Sequence, residues 1–328
     1  MRISMTAACK QVQPLVTFQG AGGGFNLENF FRRKDKVVFV MGATGTGKSR
    51  LAIDLATRFR AEIVNSDKMQ VYKGLDIATN KVTEEECRGI PHHLLGEVDP
   101  NSNFSATDFC HHAVSEIDAI LGRGRLPIIT GGSNSYIEAL VNDQHNNQFC
   151  LKYDCCFLCV DVSLPILNAF VSDRVDRMVV AGLVDEVRRM FNLTADYSRG
   201  IRRAIGVPEL DEFFKAEIRG ASQMIKSRLL KSAIAKIKEN TCSLARRQLQ
   251  KIRRLDLSWD MHHLDATEAF LRRSQGKDSD EAWENLVAGP GTMIIDDFLY
   301  NEGAIVPSDS AAVLAGSVPI PAVAAATR

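Results

Sequence analysis

Several things are missing from this sequence, and each absence removes a class of function. No apolar run among the 328 residues reaches the roughly 18 needed to cross a bilayer, so no membrane role is expected. Forty basic and forty acidic side chains cancel, which removes any global pull toward nucleic acid or an anionic membrane surface and leaves only local patches. The eight cysteines come without a secretory leader or even spacing, so a reduced compartment is expected rather than a disulfide framework. The one Cys-x-x-Cys, Cys156 and Cys159, lies in an apolar run that reads as a strand. Residues three apart in a strand face opposite sides of the sheet, so the pair reads as buried filler and not as metal ligands. His92 and His93 are adjacent and lack the i, i+4 spacing of a helical metal site, so they read as hydrogen-bonded structural residues. No internal repeat stands out. Acidic residues are absent before Glu28, in a stretch holding Arg2, Lys10 and five small residues at 20–24. That composition has two readings, an organellar transit segment or a disordered tail. Residues from about 304 onward, rich in Ala, Val, Pro, Ser and Gly, are expected to be disordered.

What is present is organised around Gly42-Ala43-Thr44-Gly45-Thr46-Gly47-Lys48-Ser49. The apolar run 36–41 before it reads as a buried strand, and residues 50–56 after it have helical spacing. Strand, glycine-rich loop and helix in that order form a phosphate-binding loop: the amides turn inward on an anion and the new helix adds its positive end. Lys48 supplies a cation and Ser49 a hydroxyl ligand for Mg²⁺. A second short strand, 61–67, ends in Asp67. In a parallel sheet ligands gather at the carboxyl ends of strands, so Asp67 is expected to face the same crevice as the loop; an Asp at a strand end is by itself a cap or turn residue, and beside the loop it also reads as a base or metal ligand.

Farther along, Ser105 with Asp108 reads as a capping box opening a helix whose apolar face runs from Ala106 to Leu121. Residues 126–132 read as a strand entering a glycine turn, and 153–162 as another strand ending near Asp161. Asp161 has two readings, the Mg²⁺ ligand of a second nucleotide-binding motif or a strand-end cap. These units predict an α/β fold, a parallel P-loop sheet flanked by helices with a helical C-terminal part. The expected boundaries are a leader at 1–35, a core at 36–162, a mainly helical part at 163–303 that completes the core and acceptor site, and a tail at 304–328. One helical stripe is expected over 167–191 and a long helix from Ser222 to about Leu255, with Arg199, Arg202 and Arg203 beside glycines between them. The long helix carries mostly one sign of charge, which either solvates its face or meets an anion.

Together, the phosphate loop, residues 65–81, Ile90-Pro91-His92-His93-Leu94-Leu95, residues 104–109, Thr130-Gly131-Gly132-Ser133 and Arg203-Ala204-Ile205-Gly206 resemble the isopentenyltransferase superfamily over about residues 36–270. That superfamily contains tRNA dimethylallyltransferases and the adenylate isopentenyltransferases that make cytokinins. The resemblance implies that the loop holds the pyrophosphate of dimethylallyl diphosphate, with Mg²⁺, while an adenine nucleotide is the acceptor. It implies further that Asp67 is the general base toward the adenine N6, that Thr44 contacts the oxygen bridging prenyl carbon and diphosphate, and that Arg203 steadies the pyrophosphate. The tRNA enzymes carry a helical insertion where this chain has only residues 142–152, so AMP, ADP or ATP is the expected acceptor and tRNA is not. Lys226, Arg228 and Lys231 are the candidates for the acceptor's phosphates. Residues 80–89 and 263–267 resemble the plant adenylate enzymes most closely, and the acid-poor leader agrees with a plastid location. A tRNA dimethylallyltransferase and a P-loop small-molecule kinase are the alternatives.

Overall fold

The computed structural model describes residues 34–142 and 148–300. The expectations for the leader and for the tail from 304 concern segments outside the described residues. The chain runs β1 (Asp35–Gly42), α1 (Lys48–Phe59), β2 (Ala61–Asn65), α2 (Glu84–Cys87), β3 (His92–His93), α3 (Ala106–Gly122), β4 (Leu126–Thr130), α4 (Asn134–Val141), α5 (Gln148–Lys152) and β5 (Tyr153–Asp161). It continues through α6 (Leu164–Val180), α7 (Leu183–Met190), α8 (Asp211–Ile218), α9 (Gln223–Asp256), β6 (Met261–Asp265), α10 (Thr267–Ser274), α11 (Asp280–Trp283) and α12 (Gly289–Tyr300). The six strands form one parallel sheet in the order β3-β2-β4-β1-β5-β6.

Strands such as Val37-Val38-Phe39-Val40-Met41 are apolar without interruption because helices cover both faces of the sheet. Alternate side chains serve opposite faces: Val37, Phe39 and Met41 join one core with Phe157, Trp259 and α3, while Val38 and Val40 join another with α1, Leu264 and Trp283. Cys159 falls in the first core and Cys156 in the second, so the Cys-x-x-Cys pair is split across the sheet as its spacing predicts.

β1 and β4 are neighbours, yet the chain leaves β1 toward β2 and leaves β4 toward β5, on opposite sides. Such a switch point opens a crevice between the loops that follow the two strands. Those loops are the phosphate loop and Gly131-Gly132.

Ser105 caps α3 by accepting from the Asp108 N–H, and the Asp108 carboxylate returns the bond to Ser105, the expected capping box. His92 bonds the Ile90 carbonyl, and His93 sits between Glu62 and Glu116. Both are structural, as expected. The single stripe expected over 167–191 is instead two helices, because Gly182 adopts φ 104° and turns the chain between α6 and α7. β6 was not foreseen: His262 and His263 disguise its alternation, and only Met261 and Leu264 are buried.

The C-terminal helices hold the phosphate loop from behind. Trp283 packs on Gly47, where an added Cβ would lie 2.6 Å from its Cη2. Its Nε1 donates to Asp54 at 2.9 Å, and Arg50 stacks on the ring at 4.6 Å. Trp283→Ala is expected to cost about 3–5 kcal/mol in urea unfolding. A loss below about 1 kcal/mol would show that α11 does not support the loop.

Candidate functional site

Two glycine constraints shape the crevice. Gly42 sits at φ 145°, and a Cβ there would lie 2.6 Å from the Val160 carbonyl oxygen, so only glycine lets the chain leave β1 into the loop. On the far wall, a Cβ on Gly131 would lie 2.4 Å from the Ser66 carbonyl carbon, and one on Gly132 would lie 2.8 Å from both Asp67 Oδ2 and Gln248 Nε2. The Gly-Gly pair is therefore what allows Asp67 to lie against the end of β4.

Asp67 divides its carboxylate. Oδ1 accepts from the Met69 N–H at 2.8 Å and the Gln70 N–H at 3.3 Å, closing the turn after β2. Oδ2 points toward Gly132 and Gln248 and is left for another partner.

The loop side carries positive charge. Lys48 is 8 % exposed and its ammonium donates to the Ala43 carbonyl at 2.7 Å. Burial pushes its pKa down to about 8, opposed by Asp67 and reinforced by Arg174. Arg174, from α6, donates through Nη2 to Thr44 Oγ1 at 2.9 Å, and its buried Nε has no partner. Burial lowers it to about 10, Arg177 adds to the effect and Asp67 opposes it. Among the described residues neither Lys48 nor Arg174 has a carboxylate within 4.0 Å. A buried lysine and a half-buried arginine at a helix N-terminus without an acidic partner form a seat for an anion.

Gln248 of α9 joins the two walls. Its Oε1 accepts from the Thr44 N–H at 2.7 Å and its Nε2 donates to the Gly132 carbonyl at 2.6 Å, which fixes the orientation of the amide. The same carboxamide thus holds the phosphate loop and the end of β4 against which Asp67 lies.

Of the residues singled out in the sequence, the structure brings together Gly42, Ala43, Thr44, Gly45, Thr46, Gly47, Lys48 and Asp67. Ser49 is exposed in the first turn of α1. Arg203 hydrogen-bonds the Tyr72 hydroxyl at 3.4 Å and the Gly200 carbonyl at 3.3 Å. Neighbouring Tyr136, raised to about 12 chiefly by burial, feels both Arg203 and Asp67. Asp161 is engaged by His263 at 2.5 Å through its side chain, and its carbonyl accepts from Ala266 at 2.9 Å.

Lys226, Arg228 and Lys231 are not brought beside the phosphate loop. They stand in the first turns of α9, 17 to 22 residues before Gln248, which is about 25–33 Å along the helix axis. Arg174 reaches the loop through Thr44, and it also lines a cleft of about 670 Å³ with Arg177, Lys73, Lys81 and the acidic Asp76, Glu84 and Glu86.

Arg174 and Gln248 were not among the site residues read from the sequence. Gln248 leaves a signal nonetheless: Thr241, Ala245, Gln248, Ile252 and Leu255 form the buried seam of α9. An amide in an apolar seam needs buried hydrogen-bond partners.

The chain matches the family model described as IPP transferase over residues 70–148 and 142–255. It is 62% identical over 306 residues to adenylate isopentenyltransferase 5, chloroplastic, of Arabidopsis thaliana, spanning 91% of this chain and 90% of that protein. It is 54% identical over 321 residues to adenylate isopentenyltransferase 7, mitochondrial, of the same plant, spanning 97% and 96%. Among solved structures it is similar to a eukaryotic dimethylallyltransferase acting on tRNA, with a TM-score of 0.68 and 25% identity over 82% of this chain and 81% of that one.

An anion in the loop should return Lys48 to its protonated form. Above pH 8, pyrophosphate binding is expected to take up a proton, seen by calorimetry in buffers of different ionisation heat, and Lys48→Met should abolish the uptake. Because the folded value lies below the ordinary lysine value of 10.5, the unfolded chain holds more protons in between, so unliganded stability should rise with pH from about 8 to 10.5. Equal proton uptake in wild type and variant would refute the assignment.

Proposed function

The chain belongs to the IPP transferase family, and on that premise we propose that it is an adenylate dimethylallyltransferase, moving the dimethylallyl group of dimethylallyl diphosphate to N6 of AMP, ADP or ATP. The observation that carries this reading is the pair of carboxylate-free cations, buried Lys48 and half-buried Arg174, opposite the Oδ2 of Asp67. One wall suits a leaving diphosphate and the other a nucleophile that must lose a proton.

The adenine N6 amine is a poor nucleophile because its lone pair is drawn into the ring. Asp67 Oδ2 would accept a hydrogen bond from it, aim it and take its proton as the N6–carbon bond forms. At the opposite end the bond between the prenyl carbon and the bridging oxygen breaks, and pyrophosphate leaves with the electron pair. Loop amides, Lys48 and Arg174 stabilise that charge in a site where it is poorly screened. Thr44, whose hydroxyl already accepts from Arg174, would meet the bridging oxygen, and Arg203 would steady the pyrophosphate. Allylic carbon tolerates positive character, so bond breaking can run ahead of bond making.

Mg²⁺ takes most of its shell from water and phosphate oxygens. An exposed hydroxyl at Ser49 beside the loop fits a diphosphate-bound ion better than a protein-caged one. When bound, Mg²⁺ would neutralise part of the diphosphate charge.

Arg177 and Lys73, on the cleft that reaches Arg174, would receive the acceptor's phosphates. Acceptance of a free nucleotide is supported by the relative at 62% identity, whose name states adenylate. A plastid location is supported by the same relative, named chloroplastic, while the relative at 54% is named mitochondrial.

Asp67→Asn keeps an oxygen to close the 67–70 turn but cannot take a proton. It is expected to lower kcat by about two to four powers of ten while leaving the melting temperature near wild type; a loss below tenfold would leave Asp67 only its turn. In a mass-spectrometric assay with dimethylallyl diphosphate and Mg²⁺, product is expected on AMP, ADP or ATP and not on unmodified tRNA. Arg177→Ala should raise KM for ATP more than for AMP. Product on tRNA alone would reassign the chain to the tRNA branch, and phosphate release from ATP without prenylation would make it a kinase-like protein.

A further inference from the structure

At the carboxyl end of β5, on the strand next to β1 and its phosphate loop, a second set of donor atoms converges. Cys159 and Asp161 are two residues apart on β5 and share one face of the sheet, and His263 is the register partner of Cys159 on β6. Cys159 Sγ lies 3.8 Å from Asp161 Oδ1, and His263 Nδ1 lies 2.5 Å from Asp161 Oδ2. All three donor atoms fall within 4.8 Å of one another. Behind the ring, His263 Nε2 meets Asp256 Oδ1 at 3.1 Å, from the last turn of α9.

We infer that Cys159, Asp161 and His263 form a binding site for a divalent transition metal of the Zn²⁺ class, with Asp256 as its orienting partner. Three facts favour this over a plain ion-pair network. The donor set is sulfur, nitrogen and oxygen, which suits Zn²⁺ and disfavours Mg²⁺ and Ca²⁺. Three protein ligands leave a fourth, solvent-facing position, since Asp161 and His263 are 34 and 44 % exposed. A carboxylate on the far nitrogen of a histidine is the usual outer-shell partner of a metal-bound imidazole, because it fixes the tautomer and leaves the near nitrogen free to ligate.

On binding, two protons pass to solvent, that of the Cys159 thiol and the one shared by His263 Nδ1 and Asp161, as the sulfur–metal and nitrogen–metal bonds form. Nδ1 and the Asp161 carboxylate exchange their mutual hydrogen bond for the ion. β6 is an edge strand joined to the sheet only through β5, so the ion would staple that edge and the end of α9 to the core. It takes Asp161 as a ligand of this ion in place of the Mg²⁺ role, and adjoins the phosphate loop across the β1–β5 pairing, while Ser49 stays with the Mg²⁺ on the donor diphosphate.

Co²⁺ is the probe, because a thiolate ligand gives it a near-ultraviolet charge-transfer band and tetrahedral geometry gives strong visible bands. After chelator treatment the full chain is expected to take up about one Co²⁺ with both signatures, and Zn²⁺ should displace it. Cys159→Ser and His263→Ala should each abolish the charge-transfer band or weaken binding at least 100-fold, and Asp256→Asn should weaken it 10–100-fold. Cys150→Ser, at an exposed cysteine, should leave the band intact. Zn²⁺ should raise the melting temperature of wild type and not of His263→Ala, whose exposed side chain makes misfolding a poor explanation. Absence of Co²⁺ binding by wild type, or a band that survives in Cys159→Ser, would overturn the assignment and reduce the cluster to a hydrogen-bonded Cys–Asp–His–Asp chain.

Discussion

A buried lysine and a half-buried arginine without an acidic partner are the constraint on which the crevice depends. A lysine and an arginine in a low-dielectric site repel each other and are costly to bury. Lys48 and Arg174 are held there because the fold leaves them little choice. Lys48 is the first residue of α1 and is drawn back to the Ala43 carbonyl, while Arg174 is carried in by α6 and tied to Thr44. The nearest opposing charge that both feel is Asp67, across the crevice. A bound diphosphate would relieve this strain, so stability given up in the empty protein becomes affinity for the donor.

The opposite wall obeys a steric rule instead of an electrostatic one. Asp67 can approach the loop only because Gly131 and Gly132 have no side chains, and one of its oxygens is already used to fix its own turn. Gln248 spans the gap, so α9 sets the separation between the seat for the leaving group and the carboxylate that would take the proton. Displacement at carbon needs both ends aligned at once. A single carboxamide bonded to both walls is a compact way to keep that alignment, and it explains why a helix about 50 Å long packs its polar residue at this point of the sheet.

The phosphate loop, Asp67 and the parallel α/β architecture were legible in the sequence because each is local. A strand, its loop and the next helix are contiguous, and the carboxylate falls at a strand end. Arg174 and Gln248 are nonlocal: they stand 130 and 204 positions from Thr44 on helices rich in other polar side chains, where only the apolar seam around Gln248 betrays a buried role. On the same helix Lys226, Arg228 and Lys231 share its charge but stand several turns from Gln248. Gly182 hid a helix break inside a continuous apolar stripe, and the two histidines of β6 hid a strand that is only half covered. Cys159 and His263, 104 positions apart, meet only through strand register.

The central claim is that a loop of the kind that usually cradles a nucleotide here holds the prenyl donor, while the adenine meets Asp67. A crystal structure of the chain with Mg²⁺, AMP and a non-hydrolysable dimethylallyl diphosphate analogue tests it directly. The account requires the analogue's diphosphate within residues 42–49 beside Lys48 and Arg174, and the adenine N6 about 2.6–3.2 Å from Asp67 Oδ2. An AMP phosphate seated in the loop, with the adenine turned away from Asp67, would contradict it.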